Sequence, residues 1–169
     1  HRVIVGPGSK ELLFILQLVH EGRLTIPAPS WVSYAPQAQI LGKSVDWIET
    51  RFEDEWNLTA DALDAACQKT PGQPRLLILN YPNNPTGLTY SPSALQALAE
   101  VARQHGVVII SDEIYGEVHH QGKHRSIAEF YPEGTIISSG LSKWAGAGGW
   151  RLGYAHFPDA LSHLADAMA

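Results

Sequence analysis

Short runs of apolar and often β-branched residues recur along the chain with the length of β-strands. Several of these runs are continuous rather than alternating, which is typical of strands that are covered on both faces. The predicted strands span residues 3–5, 24–26, 45–48, 76–79, 107–110, 135–137 and 152–157.

Helical patterns lie between most of the predicted strands. The clearest begins with Ser91 as the capping residue and Pro92 at the first helical position, and it ends at Gly106. Its apolar stripe consists of Leu95, Leu98, Ala99 and Ala102. Further helices are predicted over residues 9–20 and from Thr59 onward. The alternation predicts an α/β fold, with seven strands in a mostly parallel sheet and helices on both faces.

The two ends of the sequence indicate a piece of a longer protein. The chain begins at His1 rather than at a methionine, and residues 3–5 already have the pattern of a buried strand. Near the other end, Leu161, Leu164 and Met168 have helical spacing, and no helix stop signal follows them. We therefore expect a single domain over residues 1–169 that lacks segments on either side.

Composition and charge exclude several classes of protein. With 12 Lys and Arg against 17 Asp and Glu, the net charge is −5, which removes the basic patch expected of a nucleic-acid binder. The apolar runs are too short to span a membrane. A single cysteine, Cys67, excludes an internal disulfide and favours a reducing, cytoplasmic location.

The unusual residues follow the ends of the predicted strands. In open parallel sheets, ligands bind beyond the carboxyl ends of the strands, so the loops there should converge on one edge. These loops are residues 6–10, 29–31, 81–87, 111–115 and 140–143.

The loop over residues 6–10 could bind an anion. It presents backbone N–H groups at a helix start, next to the hydroxyl of Ser9 and the ammonium of Lys10. It is not a Walker loop, and Glu11 stands where a dinucleotide-binding fingerprint needs its third glycine. A tight turn with a helix cap explains the same residues equally well.

Histidines raise the question of a metal site. His119, His120 and His124 stand together in the segment HHQGKH, and such a cluster can bind a metal ion. No carboxylate accompanies them at helical spacing. We therefore predict a solvated loop and no metal site.

An ordered set of motifs resembles a known family. YPNNPTG at 81–87, SDEIY at 111–115, SK at 142–143 and the arginine of GWRLGY at 149–154 are similar to the fold-type I pyridoxal-phosphate enzymes, the class I and II aminotransferases. The resemblance covers nearly the whole chain and implies the pyridoxal 5′-phosphate-binding large domain of that fold, with one antiparallel strand. It also implies a homodimer that acts on amino acid and 2-oxo acid substrates.

The resemblance assigns roles to individual residues. Lys143 would be the Schiff-base lysine, and Asp112 would pair with the pyridine nitrogen of the cofactor. Tyr115 and Asn84 would bind the phenolic oxygen of the ring, and Trp31 would stack on its face. Lys143, Asp112 and Tyr115 are thus the predicted catalytic residues. The predicted phosphate-binding residues are Ser9, Lys10, Ser142 and Arg151, and Gly8 also belongs to the predicted cofactor-binding set.

The sequence also departs from the family. Gly140 stands three positions before the lysine, where many relatives carry a hydroxyl, so we expect Ser138 or Ser139 to replace that contact or the contact to be missing. We expect these residues to lack the family's small domain, with the arginine that binds the substrate carboxylate, and its N-terminal segment. We therefore expect negligible transamination by these 169 residues alone.

Two other functions stay open at this point. A carbon–sulfur β-lyase of the same fold would share the cofactor-binding residues. An aminotransferase-like effector domain of a transcription regulator would need a winged-helix segment, which this chain does not contain.

Overall fold

A seven-stranded sheet forms the centre of the computed structural model, which describes residues 2–120 and 122–169. The strands are β1 (Arg2–Gly6), β2 (Arg23–Ala28), β3 (Val45–Glu49), β4 (Arg75–Asn80), β5 (Val108–Asp112), β6 (Thr135–Gly140) and β7 (Gly153–Phe157). The helices are α1 (Ser9–Val19), α2 (Tyr34–Ile40), α3 (Ala60–Gln68), α4 (Pro92–His105) and α5 (Ser162–Met168). Among the described residues, no helix has the length and apolar character needed to cross a membrane.

The sheet has the order β1-β7-β6-β5-β4-β2-β3. Strand β7 pairs antiparallel with β1 and β6, whereas the pairs β2–β3, β2–β4, β4–β5 and β5–β6 are parallel. The predicted fold class, including the single antiparallel strand, is therefore confirmed.

Two hydrophobic layers cover the sheet, one on each face. Leu13 and Leu16 of α1 pack with Tyr34 of α2 and Leu164 of α5 on one face. On the other face, Leu63 of α3 and the predicted stripe of α4 pack together. Strand β4 is buried along its whole length and contributes alternate residues to both layers, which explains its continuous apolar run.

The helix ends follow the capping signals in the sequence. Ser91 Oγ accepts a hydrogen bond from Ala94 N at 3.2 Å, Pro92 stands at the start of α4, and Gly106 ends it with φ +64°. Thr59 caps α3 in the same way by accepting from Ala62 N. These local signals place both helices where the sequence predicts them.

The first strand differs from the prediction. Residues 3–5 form part of β1, but Val3 and Val5 are 60% and 64% exposed rather than buried. Strand β1 lies at the edge of the sheet and pairs only with β7, and of its apolar residues only Ile4 packs against the core on the α1 and α5 side. Three consecutive apolar residues do not distinguish an edge strand from a central one.

Candidate functional site

A cavity of about 200 Å³ lies at the carboxyl edge of the sheet and brings together side chains from five loops. The predicted site residues that line it are Ser9, Lys10, Trp31, Asn84, Asp112, Tyr115, Ser142, Lys143 and Arg151. A larger neighbouring cavity of about 490 Å³ shares Asn84 and Tyr115 with it. Gly8 does not line the cavity itself but lies next to the Arg151 guanidinium.

Asp112 is the most buried charged residue of this cavity. It ends β5, is 3% exposed, and accepts hydrogen bonds from Tyr34 OH at 2.5 Å and from Ile114 N at 3.3 Å. Asn80 Nδ2 donates to its backbone carbonyl at 2.9 Å and so fixes the strand end. Burial raises the pKa of Asp112 to about 6, the two hydrogen bonds to its carboxylate oppose that rise, and the charge of Glu113 adds to it.

The neighbouring carboxylate, Glu113, belongs to a different network. It accepts hydrogen bonds from Ser111 Oγ and Ser126 Oγ, and its Oε2 lies 3.0 Å from His124 Nε2. His124 in turn stacks on Tyr81 with ring centroids 5.2 Å apart. The prediction of a solvated loop is therefore wrong for His124, because its ring contacts Glu113 and Tyr81 and its side chain is only 16% exposed.

Lys143 and two aromatic residues stand around the middle of the cavity. The Lys143 ammonium lies 5.4 Å from the centroid of the Tyr115 ring, and Asn84 Nδ2 donates to Tyr115 OH at 3.5 Å. On another wall, the Lys10 ammonium lies 5.5 Å from the centroid of the Trp31 ring. A flat aromatic ligand would thus find an amine, hydrogen-bonding groups and an indole ring within the same space.

Arg151 and the start of α1 form a positively charged end of the cavity. Arg151 Nη1 donates to Gly148 O at 2.8 Å and to Ser142 Oγ at 3.4 Å, and Nη2 donates to Pro7 O at 3.5 Å. Among residues 2–120 and 122–169, no side chain caps α1, so its first N–H groups are available to an anion. This arrangement suits a phosphate group, which accepts hydrogen bonds from both arginine and helix N-termini.

Close backbone approach at this end depends on glycine. Gly8 has φ +97°, and a Cβ atom there would lie 2.2 Å from Arg151 Nη2. In β7, a Cβ atom on Gly153 would lie 2.2 Å from Ser9 N. Larger residues at either position would displace the arginine or the start of α1.

Gly140 has a similar steric explanation. A Cβ atom there would lie 2.7 Å from the carbonyl oxygen of Leu152 in the adjacent segment. The two proposed substitutes for the missing hydroxyl, Ser138 and Ser139, do not line the cavity, and Ser139 Oγ donates instead to Glu113 O at 3.4 Å. Both serines belong to β6, whose pairing keeps them buried within the sheet.

Sequence reasoning missed Tyr34, Asn80 and Ile114, which also line the cavity. Asn80 could have been found, since it is the polar residue that directly follows the apolar run of residues 76–79. Tyr34 lies three residues after Trp31 in the segment PSWVSY, but the helix α2 that carries it was not predicted. Ile114 contacts Asp112 through its backbone N–H, which no side-chain pattern reveals.

Comparison with known proteins gives a consistent picture. The family model for aminotransferase class I and II matches residues 1–169. The aspartate aminotransferase of Geobacillus stearothermophilus is 42% identical over 92% of this chain and 41% of its own length, and that of Bacillus subtilis is 37% identical over 91% and 40%. The chain thus spans about two fifths of the curated relatives that it matches.

The solved structures that this chain resembles are also aminotransferases. An aspartate aminotransferase from Thermus thermophilus with maleate superimposes with a TM-score of 0.89 at 34% identity, covering 98% of this chain and 43% of that one. An aromatic aminotransferase from Pyrococcus horikoshii superimposes with a TM-score of 0.86 at 31% identity, covering 98% and 44%.

Replacing Gly8 by alanine should disrupt the positively charged end of the cavity. We expect Gly8→Ala to weaken the binding of inorganic phosphate roughly tenfold or more, because the new methyl group displaces Arg151 and a charge-assisted hydrogen bond is lost. Gly72→Ala is the matched control, since Gly72 also has positive φ (+74°) but has open space around it. Titration of both variants with inorganic phosphate checks this, and unchanged affinity in Gly8→Ala would contradict it.

The buried carboxylate should make the protein without ligand less stable as the pH rises. The folded state raises the pKa of Asp112 from 3.8 to about 6, so the fold holds this proton more tightly than the unfolded chain does. The associated stability is present below about pH 4 and is lost as the pH rises through 6, a change of roughly 3 kcal/mol.

Asp112→Asn removes this titration. Its free energy of unfolding relative to the wild type should therefore increase by roughly 2 kcal/mol between pH 4 and pH 7.5, measured by urea unfolding without ligand. Asp61→Asn, at an exposed position of α3, serves as the control. A constant difference between Asp112→Asn and the wild type across this pH range would show that Asp112 does not carry the effect.

Proposed function

The chain belongs to the class I and II aminotransferase family, and on that premise we propose that residues 1–169 are the cofactor-binding large domain of a pyridoxal-phosphate-dependent aminotransferase. The observation that carries the proposal is the convergence of Asp112, Lys143 and Arg151 on one cavity. They supply an anion, an amine and a phosphate-binding cation, which are the groups that this cofactor needs.

The charge of Asp112 supports the fit to the cofactor ring. Within the part of the chain that the structure describes, no Lys, Arg or His forms an ion pair with Asp112. A buried carboxylate without a cation is unfavourable, and a protonated ring nitrogen would supply the missing charge. When bound, the cofactor supplies an electron sink for the bond broken at the substrate α-carbon.

The other end of the cavity supports the fit to the phosphate. Arg151, Ser142 and the uncapped start of α1 present donors to the same space, and Gly8 leaves room for them. These donors would hold the phosphate, while Trp31 covers one face of the ring and Asn84 and Tyr115 bind its oxygen. Binding at both ends would orient the ring toward Lys143.

We assign two roles to Lys143. Its Nζ would attach the cofactor covalently, and it would also move the α-proton of the substrate. Its side chain lines the cavity beside Tyr115, on the loop that follows β6. A flexible amine can reach both the cofactor and the substrate carbon, which a residue fixed in a strand could not do.

The substrates proposed are an amino acid and a 2-oxo acid, with aspartate as the amino donor. Support comes from the relatives, several of which are named aspartate aminotransferases. A homodimer is proposed as well, because the exposed apolar side chains of Val32, Trp144 and Trp150 stand next to cavity residues in the sequence. The single cysteine supports a cytoplasmic location.

The activity test uses the protein as its gene encodes it. With aspartate and 2-oxoglutarate, we expect glutamate to form in the wild type and its rate to fall by orders of magnitude in Lys143→Ala. Lys69→Ala, at an exposed position after α3, is the matched control. Release of pyruvate and ammonia from a sulfur-containing amino acid without an oxo-acid acceptor would identify a carbon–sulfur β-lyase instead.

The same variants test the covalent assignment. After incubation with pyridoxal 5′-phosphate and reduction with borohydride, peptide mapping should find the label on Lys143 and should find it lost in Lys143→Ala. Labelling on Lys10, which also lines the cavity, or labelling unchanged in Lys143→Ala would contradict the assignment.

A further inference from the structure

Tyr34 is a cavity residue that the proposed function has not yet used. It begins α2, its side chain is 1% exposed, and its hydroxyl donates to Asp112 Oδ2 at 2.5 Å. Among the described residues it is the only side chain that donates to this carboxylate, whose other oxygen accepts from the backbone of Ile114. A single phenol therefore supplies one of the two hydrogen bonds that this carboxylate accepts.

The phenol acts as a permanent donor. Burial, and then the charge of Asp112, raises the pKa of Tyr34 well above its ordinary value, so the hydroxyl keeps its proton throughout the neutral range. A hydrogen bond to the ionised form of a carboxylate favours that form. The phenol thus counteracts the burial that raises the pKa of Asp112, without adding a positive charge that would compete with a cationic ligand.

The position of Tyr34 is fixed from two sides. Its ring packs edge-on against Trp31, with centroids 5.3 Å apart and planes at 81°. One helical turn further, Gln37 Nε2 donates to Lys10 O at 2.9 Å, and Gln17 Nε2 donates to Gln37 Oε1 at 2.9 Å. These buried amides connect α2 to α1, so the helix that carries Tyr34 is tied to the helix that begins at the positively charged end of the cavity.

We propose that Tyr34 is a positioning residue that holds Asp112 ionised and oriented toward the ring nitrogen of the cofactor. The inference rests on the proposed function, because it needs Asp112 to pair with that nitrogen. It goes further by assigning the orientation of the acid to a residue of α2 that itself forms no part of the predicted set. The segment from Trp31 to Tyr34 would then determine both the stacking on the cofactor ring and the pairing of the ring nitrogen with Asp112.

The test compares Tyr34→Phe with the wild type in binding pyridoxal 5′-phosphate. Removing the hydroxyl should weaken the affinity roughly tenfold at pH 7.5, because a hydrogen bond to a charged group is lost while the ring packing stays. Tyr90→Phe is the matched control: its buried hydroxyl accepts from Leu58 N in the second core layer, outside the cavity. This control should bind the cofactor as the wild type does.

The pH dependence separates a positioning role from a merely structural one. Without its donor, Asp112 should ionise only at a higher pH. The affinity for the cofactor falls when acid protonates Asp112, and the pH at which it has fallen to half its maximum should therefore be about one unit higher in Tyr34→Phe than in the wild type. The other titratable groups around Asp112 are the same in both proteins. They are Glu113, Tyr115, Lys10 and Lys143. A profile that keeps its midpoint would contradict the proposal.

A double-mutant cycle with Asp112→Asn shows whether Tyr34 acts through Asp112. The effect of Tyr34→Phe on cofactor affinity should nearly vanish in the Asp112→Asn background. Equal losses of affinity in the wild-type and Asp112→Asn backgrounds would overturn the proposal. Should Tyr34→Phe not fold, recovery of folding in the double variant would support the coupling, and no recovery would contradict it. Wild-type protein that binds no cofactor would refute the proposed function as well, whereas normal binding with an unaffected Tyr34→Phe would refute only the role of Tyr34.

Discussion

The site depends on one buried carboxylate at the end of a central strand. Asp112 is surrounded by β4, β6 and α2, and it receives hydrogen bonds from Tyr34 and Ile114 but no ion pair from the described residues. The cost of keeping this charge out of water appears as its raised pKa. A ligand that brings a positive charge to this point removes the cost, so the same feature that weakens the empty fold favours a cationic ring.

The rest of the cavity follows from the topology of the sheet. Four parallel pairings place the ends of β2, β4, β5 and β6 at one edge, and each of these strands is followed by a loop that contributes a site residue. The antiparallel strand β7 brings Arg151, which precedes it, to the start of α1. Gly8 and Gly153 let these backbones approach closely enough for the arginine and the helix N-terminus to face the same space.

Local and periodic signals in the sequence were sufficient for the strands, for the caps of α3 and α4, and for bringing the predicted site loops together. They were not sufficient for the burial of β1, because the exposure of Val3 and Val5 depends on the position of the strand at the sheet edge and not on its own residues. Helix α2 was missed because it has seven residues, with Pro36 inside it, and too little length for a periodic pattern. Tyr34 was missed with it, since its contact with Asp112 joins residues 78 positions apart.

The central claim is that Asp112 pairs with a protonated ring nitrogen of the cofactor. The most direct test is the ¹⁵N chemical shift of pyridoxal 5′-phosphate labelled at the ring nitrogen and bound to the protein at pH 7.5. The account predicts the shift of a protonated nitrogen in the wild type and a change toward the neutral form in Asp112→Asn. A neutral nitrogen in the wild type, or the same shift in both proteins, would contradict it.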